Sequence, residues 1–369
     1  MNELSESQDY LTRQLITCIG NKRRLLGFIG TALEKVKARL GKKRLVLFDL
    51  FSGSGVVSRF FKRHAELLLV NDLEAYAEAI SRCYLANREE FDLEYLRAVH
   101  GELSAKLDEG SLGSGFISEL YAPRDDGEIR DGERVFYTSR NARFLDTACR
   151  HIGELEEPLR PFFQGPLLAE ASVHANTAGV FKGFYKDART GRGRFGGGGA
   201  DALKRILGRI EIPFPVFSNF RCPVCIFRGD ANRIAGEAPE ADLAYLDPPY
   251  NQHPYGSNYF MLNLLVNYER PQAISAVSGI PQNWNHSDYN RKGKAAAALA
   301  GLVSAVKAKY LLVSFNSEGF ITREAMTAML AKAGAVETLE TSYNTFRGSR
   351  NLRNRQLHVK EYLFLVEKY

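Results

Sequence analysis

Residues 246 to 250 of the chain read LDPPY, and the aspartate among them is placed to do chemistry. The apolar run LAYL ends at Asp247, and Pro248 and Pro249 follow it. Each proline fixes φ at about −65° and removes a backbone donor. Asp247 and the ring of Tyr250 are thereby held in a nearly rigid turn, which suits the presentation of groups better than a mere change of direction. A second stretch, FDLFSGSG at 48 to 55, puts Gly53 and Gly55 where a strand turns into a helix. Glycines there let the backbone approach a ligand beside a helix N-terminus, although the same turn would serve as a bare strand-to-helix connection. Asp72, just past the apolar run LLLV, favours the ligand: an acid in that place accepts hydrogen bonds from ribose hydroxyls. The pair suggests an adenosine-containing ligand. Neither GxGxxG nor GK[ST] spacing is present, so a pyrophosphate is not demanded.

Other chemistries find less support. The seven histidines form no HExxH or i,i+4 pair, and GxSxG is absent. CPVC at 222 to 225 invites zinc, but a structural site needs four ligands and no second CxxC or spaced His pair accompanies it. Cys222 and Cys225 are expected to flank the start of a strand, and no metal is expected. The five cysteines, an odd and scattered set, disfavour a disulfide framework. No apolar run approaches ~18 residues, and MNELSESQDY lacks the pattern of a signal peptide, so a cytoplasmic protein with reduced thiols is expected.

The elements that must position these residues can be read from the same patterns. LVLFDL (45 to 50), a glycine turn and the helical VVSRFFKRH are followed by LLLV (67 to 70) and a helical pattern over 73 to 90, which make one βαβ unit with parallel strands. Further strands are expected at Val224 to Arg228, Leu243 to Leu246, Tyr310 to Ser314, Val336 to Thr341 and Tyr362 to Val366, with a helix over 295 to 309. The alternation predicts an α/β fold: a doubly wound, mostly parallel, seven-stranded Rossmann-like sheet. Between residues 88 and 220 the rhythm breaks down, so the expected organisation is a catalytic domain of 1–87 and 221–369 interrupted by an inserted module of 88–220. The run GGGG at 196 to 199 reads as a mobile loop.

The formal charge of +6 is unevenly spread. Residues 182 to 209 hold eight Lys or Arg against two Asp, and residues 341 to 360 hold five with no acid. Such patches attract a polyanion, though a solvated face explains one basic run equally well. In the first patch Lys182, Lys186, Arg192 and Arg194 alternate with Phe181, Phe184, Tyr185 and Phe195, a mixture suited to phosphates and exposed bases. Arg347, Arg350, Arg353 and Arg355 form the second.

CIGNKRR (18 to 24), DLFSGSG (49 to 55), VND (70 to 72), RGD (228 to 230) and LDPPY (246 to 250) occur in the order found in adenine-specific DNA methyltransferases of the Dam-like group, which the chain resembles over nearly its whole length. HANTAGVFKGFYKD, LLVSFNSEG and VKEYLFLVEK resemble restriction-modification members of that family. The resemblance implies S-adenosylmethionine as cofactor, double-stranded DNA as partner and a cognate restriction endonuclease acting on the same site. It implies that Asp247 and the Pro248 carbonyl receive the N6 amino group of adenine and that Tyr250 stacks on the extruded base. Gly20, Asn21, Lys22, Asp49, Phe51, Gly53, Gly55, Asp72 and Asp230 fall at cofactor positions, and the two basic patches are where target DNA is expected to be contacted, through Lys182, Lys186, Arg192, Arg194, Arg347 and Arg350. Asp230 would also serve as the N-cap of a following helix. Cys18 stands where the family commonly has an aromatic residue. The competing readings are methylation of RNA adenine or of a protein amide, whose enzymes usually carry Asn at the place of Asp247, and a catalytically silent DNA-binding subunit.

Overall fold

The structure, a computed structural model, describes residues 5–197, 200–344 and 358–369. Its strands are β1 (Leu45–Asp49), β2 (Ala65–Asp72), β3 (Val224–Arg228), β4 (Ala241–Leu246), β5 (Ala308–Asn316), β6 (Gly334–Asn344) and β7 (His358–Lys368). They form one seven-stranded sheet in the order β3-β2-β1-β4-β5-β7-β6. Neighbours from β3 to β5 are parallel, and β7 inserts antiparallel between β5 and β6. The sheet is therefore Rossmann-like with one antiparallel hairpin. Several strands outrun the apolar segments that announce them, because ladder hydrogen bonding continues through polar flanks.

Side-chain alternation along each strand builds two cores. Leu45, Leu47, Leu243, Tyr245, Leu312, Leu363 and Leu365 pack with the helices Leu26–Leu40 and Val56–Lys62 on one face. Phe48, Ala244, Leu246, Leu311, Val313, Phe364 and Val366 pack on the other with Ala231–Glu237, Ala295–Ala305 and Arg323–Leu330.

Two helices are shorter than their patterns suggest. The helix after β2 spans Ala75–Tyr84 rather than 73 to 90. Beyond it Asn87 exchanges two hydrogen bonds with the backbone of Cys222, which holds the chain out of helical geometry. The helix predicted over 295 to 309 ends at Ala305, and Ala308 already pairs with Ala241 of β4. AVKAK carries no Gly or Pro stop, so sheet pairing rather than local sequence sets that boundary.

Between β2 and β3 the chain forms the helices Leu93–Glu109, Phe116–Tyr121, Ser139–Glu154, Arg160–Val173 and Ala200–Leu207. Phe116, Phe144, Phe163 and Leu167 share a hydrophobic cluster with Tyr76, Ile80, Phe260 and Leu264, so these helices pack on the sheet's own flanking helices. Of the glycine run, Gly196 adopts φ +92°, Gly198 and Gly199 lie outside the described residues, and a helix begins at Ala200. Among the described residues no helix is long and apolar enough to cross a membrane.

Candidate active site

The strand order reverses its direction of growth between β1 and β4, and in such sheets the crevice at the carboxyl ends of those strands receives ligands. A cleft opens there, lined by the turn after β1, the N-terminal segment and the end of β4. The turn after β1 forms one wall. Gly53, at φ +51°, donates its N–H to Asp72 Oδ2 at 2.8 Å, while Asp72 Oδ1 accepts from Glu74 N at 2.9 Å. Burial raises the Asp72 carboxyl above its ordinary range, and these backbone donors pull it back toward ionisation. Each oxygen retains a lone pair for a further donor. Two buried polar atoms of the same wall, Ser52 Oγ and Asn71 Oδ1, have no partner.

The N-terminal segment forms the opposite wall. Gly20 adopts φ +76°, and a Cβ there would stand 3.0 Å from the Tyr255 hydroxyl, so only glycine lets the segment lie this close. Asn21 accepts from Arg23 N at 2.8 Å and starts the short 3-10 turn Lys22–Leu25. Lys22 is 3% exposed, and its ammonium lies 2.7 Å from Glu361 Oε1 and 3.2 Å from Asp247 Oδ1. Burial disfavours its charge, but the two carboxylates outweigh that and hold it well above the usual lysine range.

Asp247 sits at the cleft with 17% of its side chain exposed. Its carboxyl is pushed up to about 6, chiefly by burial, with Lys22 opposing and Glu361 adding to the rise. The contact with Lys22 has ion-pair distance but not hydrogen-bond alignment, so Oδ1 makes no hydrogen bond. Tyr250 meets Phe315 edge-on at 5.7 Å, and Lys22 Nζ lies 5.8 Å from its ring centre. Pro248 and Tyr250 border a smaller apolar hollow beside the cleft, with Phe315, Phe320 and Ile321.

The structure brings Gly20, Asn21, Lys22, Phe51, Gly53, Asp72, Asp230 and Asp247 onto one surface. Asp230 does both things its sequence allowed: it lines the cleft and caps the helix Ala231–Glu237 through Asn232 N and Arg233 N. Two expected cofactor residues are displaced from that surface. Asp49 is fully buried beneath the turn, where Oδ2 accepts from Ser58 Oγ at 2.5 Å. Its carboxyl is pushed up to about 7 by burial, against the Ser58 bond and with Asp247 and Asp72 adding to the rise. Gly55, at φ +74°, packs the turn against the helix Ala75–Tyr84, since a Cβ would meet Ile80 Cγ2 at 3.1 Å. Sequence patterns missed several residues of the cleft. Glu74, 3% exposed, accepts from Asn263 and Asn285 through Oε2, and burial pushes its carboxyl up to about 7 despite those bonds. Tyr289 faces Phe51 edge-on at 5.3 Å.

Lys182, Lys186, Arg192 and Arg194 are exposed. Arg192 is occupied by Asp131 at 2.9 Å, and Lys186 lies over the Phe184 ring at 5.1 Å. Phe181 corrects an expectation: it is 2% exposed, packed on Phe136 and Phe260, and cannot meet an exposed base. This segment reaches the short helix Tyr255–Asn258 that follows DPPY, for Phe181 N donates to Asn258 O at 2.7 Å. Partial desolvation and then the charge of Lys182 hold the His253 imidazole below its ordinary value. Arg347, Arg350, Arg353 and Arg355 lie outside the described residues. Cys222 is buried, Cys225 is exposed on β3, and among the described residues no three His, Cys, Asp or Glu side chains converge as a metal site.

A sheet of this order, with a glycine turn and an acid at its switch point, is an α/β methyltransferase-like fold. The chain belongs to the D12 class N6 adenine-specific DNA methyltransferases, whose family model matches residues 19–110 and 225–329. It is similar to the type II methyltransferase M.NlaIII of Neisseria lactamica, 26% identical over 95% of this chain and 98% of the relative. M.CviAII of Paramecium bursaria Chlorella virus 1 is 26% identical over 92% and 98% of the two chains. The modification methylase StsI of Streptococcus sanguinis is 25% identical over 95% of this chain, which spans 51% of that relative. The protein is a DNA-modifying enzyme that methylates adenine at N6, and membership of a methyltransferase family implies S-adenosylmethionine as the donor in general terms.

Proposed function

We propose that the cleft seats S-adenosylmethionine, that Asp247 and Pro248 receive the adenine amino group, and that the enzyme is the modification half of a restriction-modification pair. The observation that carries this reading is Asp247 itself, which lines the cleft with its carboxylate partly exposed and the buried Lys22 ammonium 3.2 Å from its inner oxygen. The cleft fits such a cofactor. Asp72 offers acceptors to ribose hydroxyls and Asp230 to the adenine amino group, Phe51 gives an aromatic edge, and the unpartnered Ser52 Oγ and Asn71 Oδ1 await donors. Gly20, Asn21 and Lys22 close the other side, while Asp49 and Gly55 shape the turn from beneath. When bound, the cofactor supplies an electrophilic methyl group on a sulfonium.

The protein's own task is to make a poor nucleophile adequate. An exocyclic amine is delocalised into its ring. If the Asp247 carboxylate and the Pro248 carbonyl accept its two N–H groups, the nitrogen can become more tetrahedral and aim its lone pair. Positioning and fixed charge then supply the catalysis. Tyr250 offers a face to the flipped-out base. Tyr250→Ala is expected to lower kcat/KM on duplex DNA by roughly tenfold to a hundredfold, the value of one base stack, and Tyr250→Phe by much less. Steady-state methyl transfer with the two variants distinguishes stacking from a role of the hydroxyl, which would make the Phe variant the worse one.

Residues 88–220 are proposed as the target-recognition module. In support, the family model leaves 111–224 unmatched, and the exposed Lys182 approaches the loop that follows DPPY. Lys182, Lys186, Arg192, Arg194, Arg347 and Arg350 are proposed to contact phosphates. DNA affinity should then fall steeply with salt, and Lys182→Ala should flatten the log–log slope by about one. Affinity that ignores salt would remove the basic segments from the interface.

A further inference from the structure

Polar residues at or near the cleft-side ends of four neighbouring strands make a row on one face of the sheet. Asp49 follows Leu45 and Leu47 on β1, Asp247 follows Leu243 and Tyr245 at the end of β4, Ser314 follows Tyr310 and Leu312 on β5, and Glu361 precedes Leu363 and Leu365 on β7. Period-two alternation directs all four side chains the same way. Glu361 stands opposite Asn316 in the antiparallel ladder and is fully buried. Its Oε1 accepts from Lys22 Nζ at 2.7 Å and from Ser314 Oγ at 2.9 Å, while Oε2 has no partner. A carboxylate so placed is a poor investment in stability, since a well-packed apolar side chain generally does as well. It also lies beyond the residues that the family model matches.

We infer that Glu361 is a positioning residue for methyl transfer: it draws the Lys22 ammonium to itself, so that Asp247 stays a strong acceptor for the adenine amino group. The proposal rests on the role of Asp247 given above. The geometry shows the division, with Lys22 nearer to Glu361, at 2.7 Å, than to Asp247, at 3.2 Å. One cation between two carboxylates leaves the group with a net negative charge. That charge favours the positive charge that grows on the amine as the methyl group arrives. Without Glu361, Lys22 would turn wholly to Asp247 and occupy the lone pairs the substrate needs.

The test is the pH dependence of single-turnover methyl transfer to duplex DNA, with cofactor affinity and thermal melting measured alongside. The groups that face Asp247 are Lys22, Glu361, Asp49, Tyr245, Tyr255 and Cys18, and Tyr250 lies beside Lys22. Burial pushes Cys18 up to about 12 and raises Tyr245 and Tyr255, so these three stay neutral through the range of interest. Asp247 must be ionised to accept, so the wild-type rate rises as pH increases through about 6 and is lost below it. Glu361→Gln removes a like charge, so the acid limb should move down by about one pH unit and the plateau should fall roughly tenfold. Lys22→Met should move the limb upward. Glu361→Asp keeps the charge but shortens the reach, so its limb stays near wild type while its rate falls; should the Gln variant not fold, a fully active Asp variant overturns the proposal. A limb that is unmoved or raised in Glu361→Gln, an undiminished plateau, or a limb that vanishes in Asp49→Asn would each overturn it as well. If the wild-type enzyme places no methyl group on adenine, the functional reading fails instead.

Discussion

Asp247→Ala is expected to lower methyl transfer to adenine by roughly a thousandfold or more, because it removes the acceptor that positions and polarises the reacting nitrogen. The fold should survive. Lys22 keeps its hydrogen bond to Glu361, so truncating Asp247 leaves no buried ammonium without a partner. Cofactor affinity should stay close to wild type, since Asp72 and the glycine turn are untouched. Asp247→Asn retains one carbonyl acceptor but turns an NH₂ toward the substrate amine, and an intermediate rate is expected. Single-turnover kinetics at saturating cofactor measure this directly, and activity within tenfold of wild type in the Ala variant would remove Asp247 from the chemistry.

The second large effect falls on binding. Asp72→Ala removes the proposed ribose acceptor and also the carboxylate that fixes Gly53 N and Glu74 N. Losing a charged hydrogen bond of this kind costs about 1.5–3 kcal/mol, so cofactor affinity should weaken by about tenfold to a hundredfold. Asp72→Asn keeps an acceptor and should lose less. Calorimetric titration with S-adenosylmethionine would show this, and unchanged affinity in the Ala variant would exclude Asp72 from the site.

Much of this site is legible in the sequence because its parts obey local rules. Gly53 and Gly20 sit at left-handed backbone positions that glycine fills most easily, and Asp247 ends an apolar strand before two prolines. Local rules also mislead. Asp49 ends its strand as Asp247 does, yet it is covered by the turn above it and bonds Ser58, so an equivalent sequence position gives a buried support and not a lining residue. Phe181 looks like an exposed aromatic among basic residues and is instead part of the core. Glu74 and Glu361 escaped for a different reason: their partners are distant, Asn263 and Asn285 for one, Lys22 and Ser314 for the other. Glu361 did leave a trace. In VKEYLFLVEK it shares the alternation of Leu363 and Leu365, and a charge on the apolar face of a central strand requires a buried partner. The helices from Leu93 to Leu207 escaped because no strands alternate with them to mark a βα rhythm; they pack instead against one another and against Tyr76 and Phe260.

The most direct measurement incubates the purified enzyme with duplex DNA and S-adenosylmethionine carrying a labelled methyl group, digests the DNA to nucleosides and separates them. All label in N6-methyladenosine of the deoxy series, confined to one short sequence context and absent with Asp247→Ala, is the predicted result. Label in a methylated cytosine, label that prefers RNA or protein over duplex DNA, or full labelling by the Asp247→Ala enzyme would contradict it.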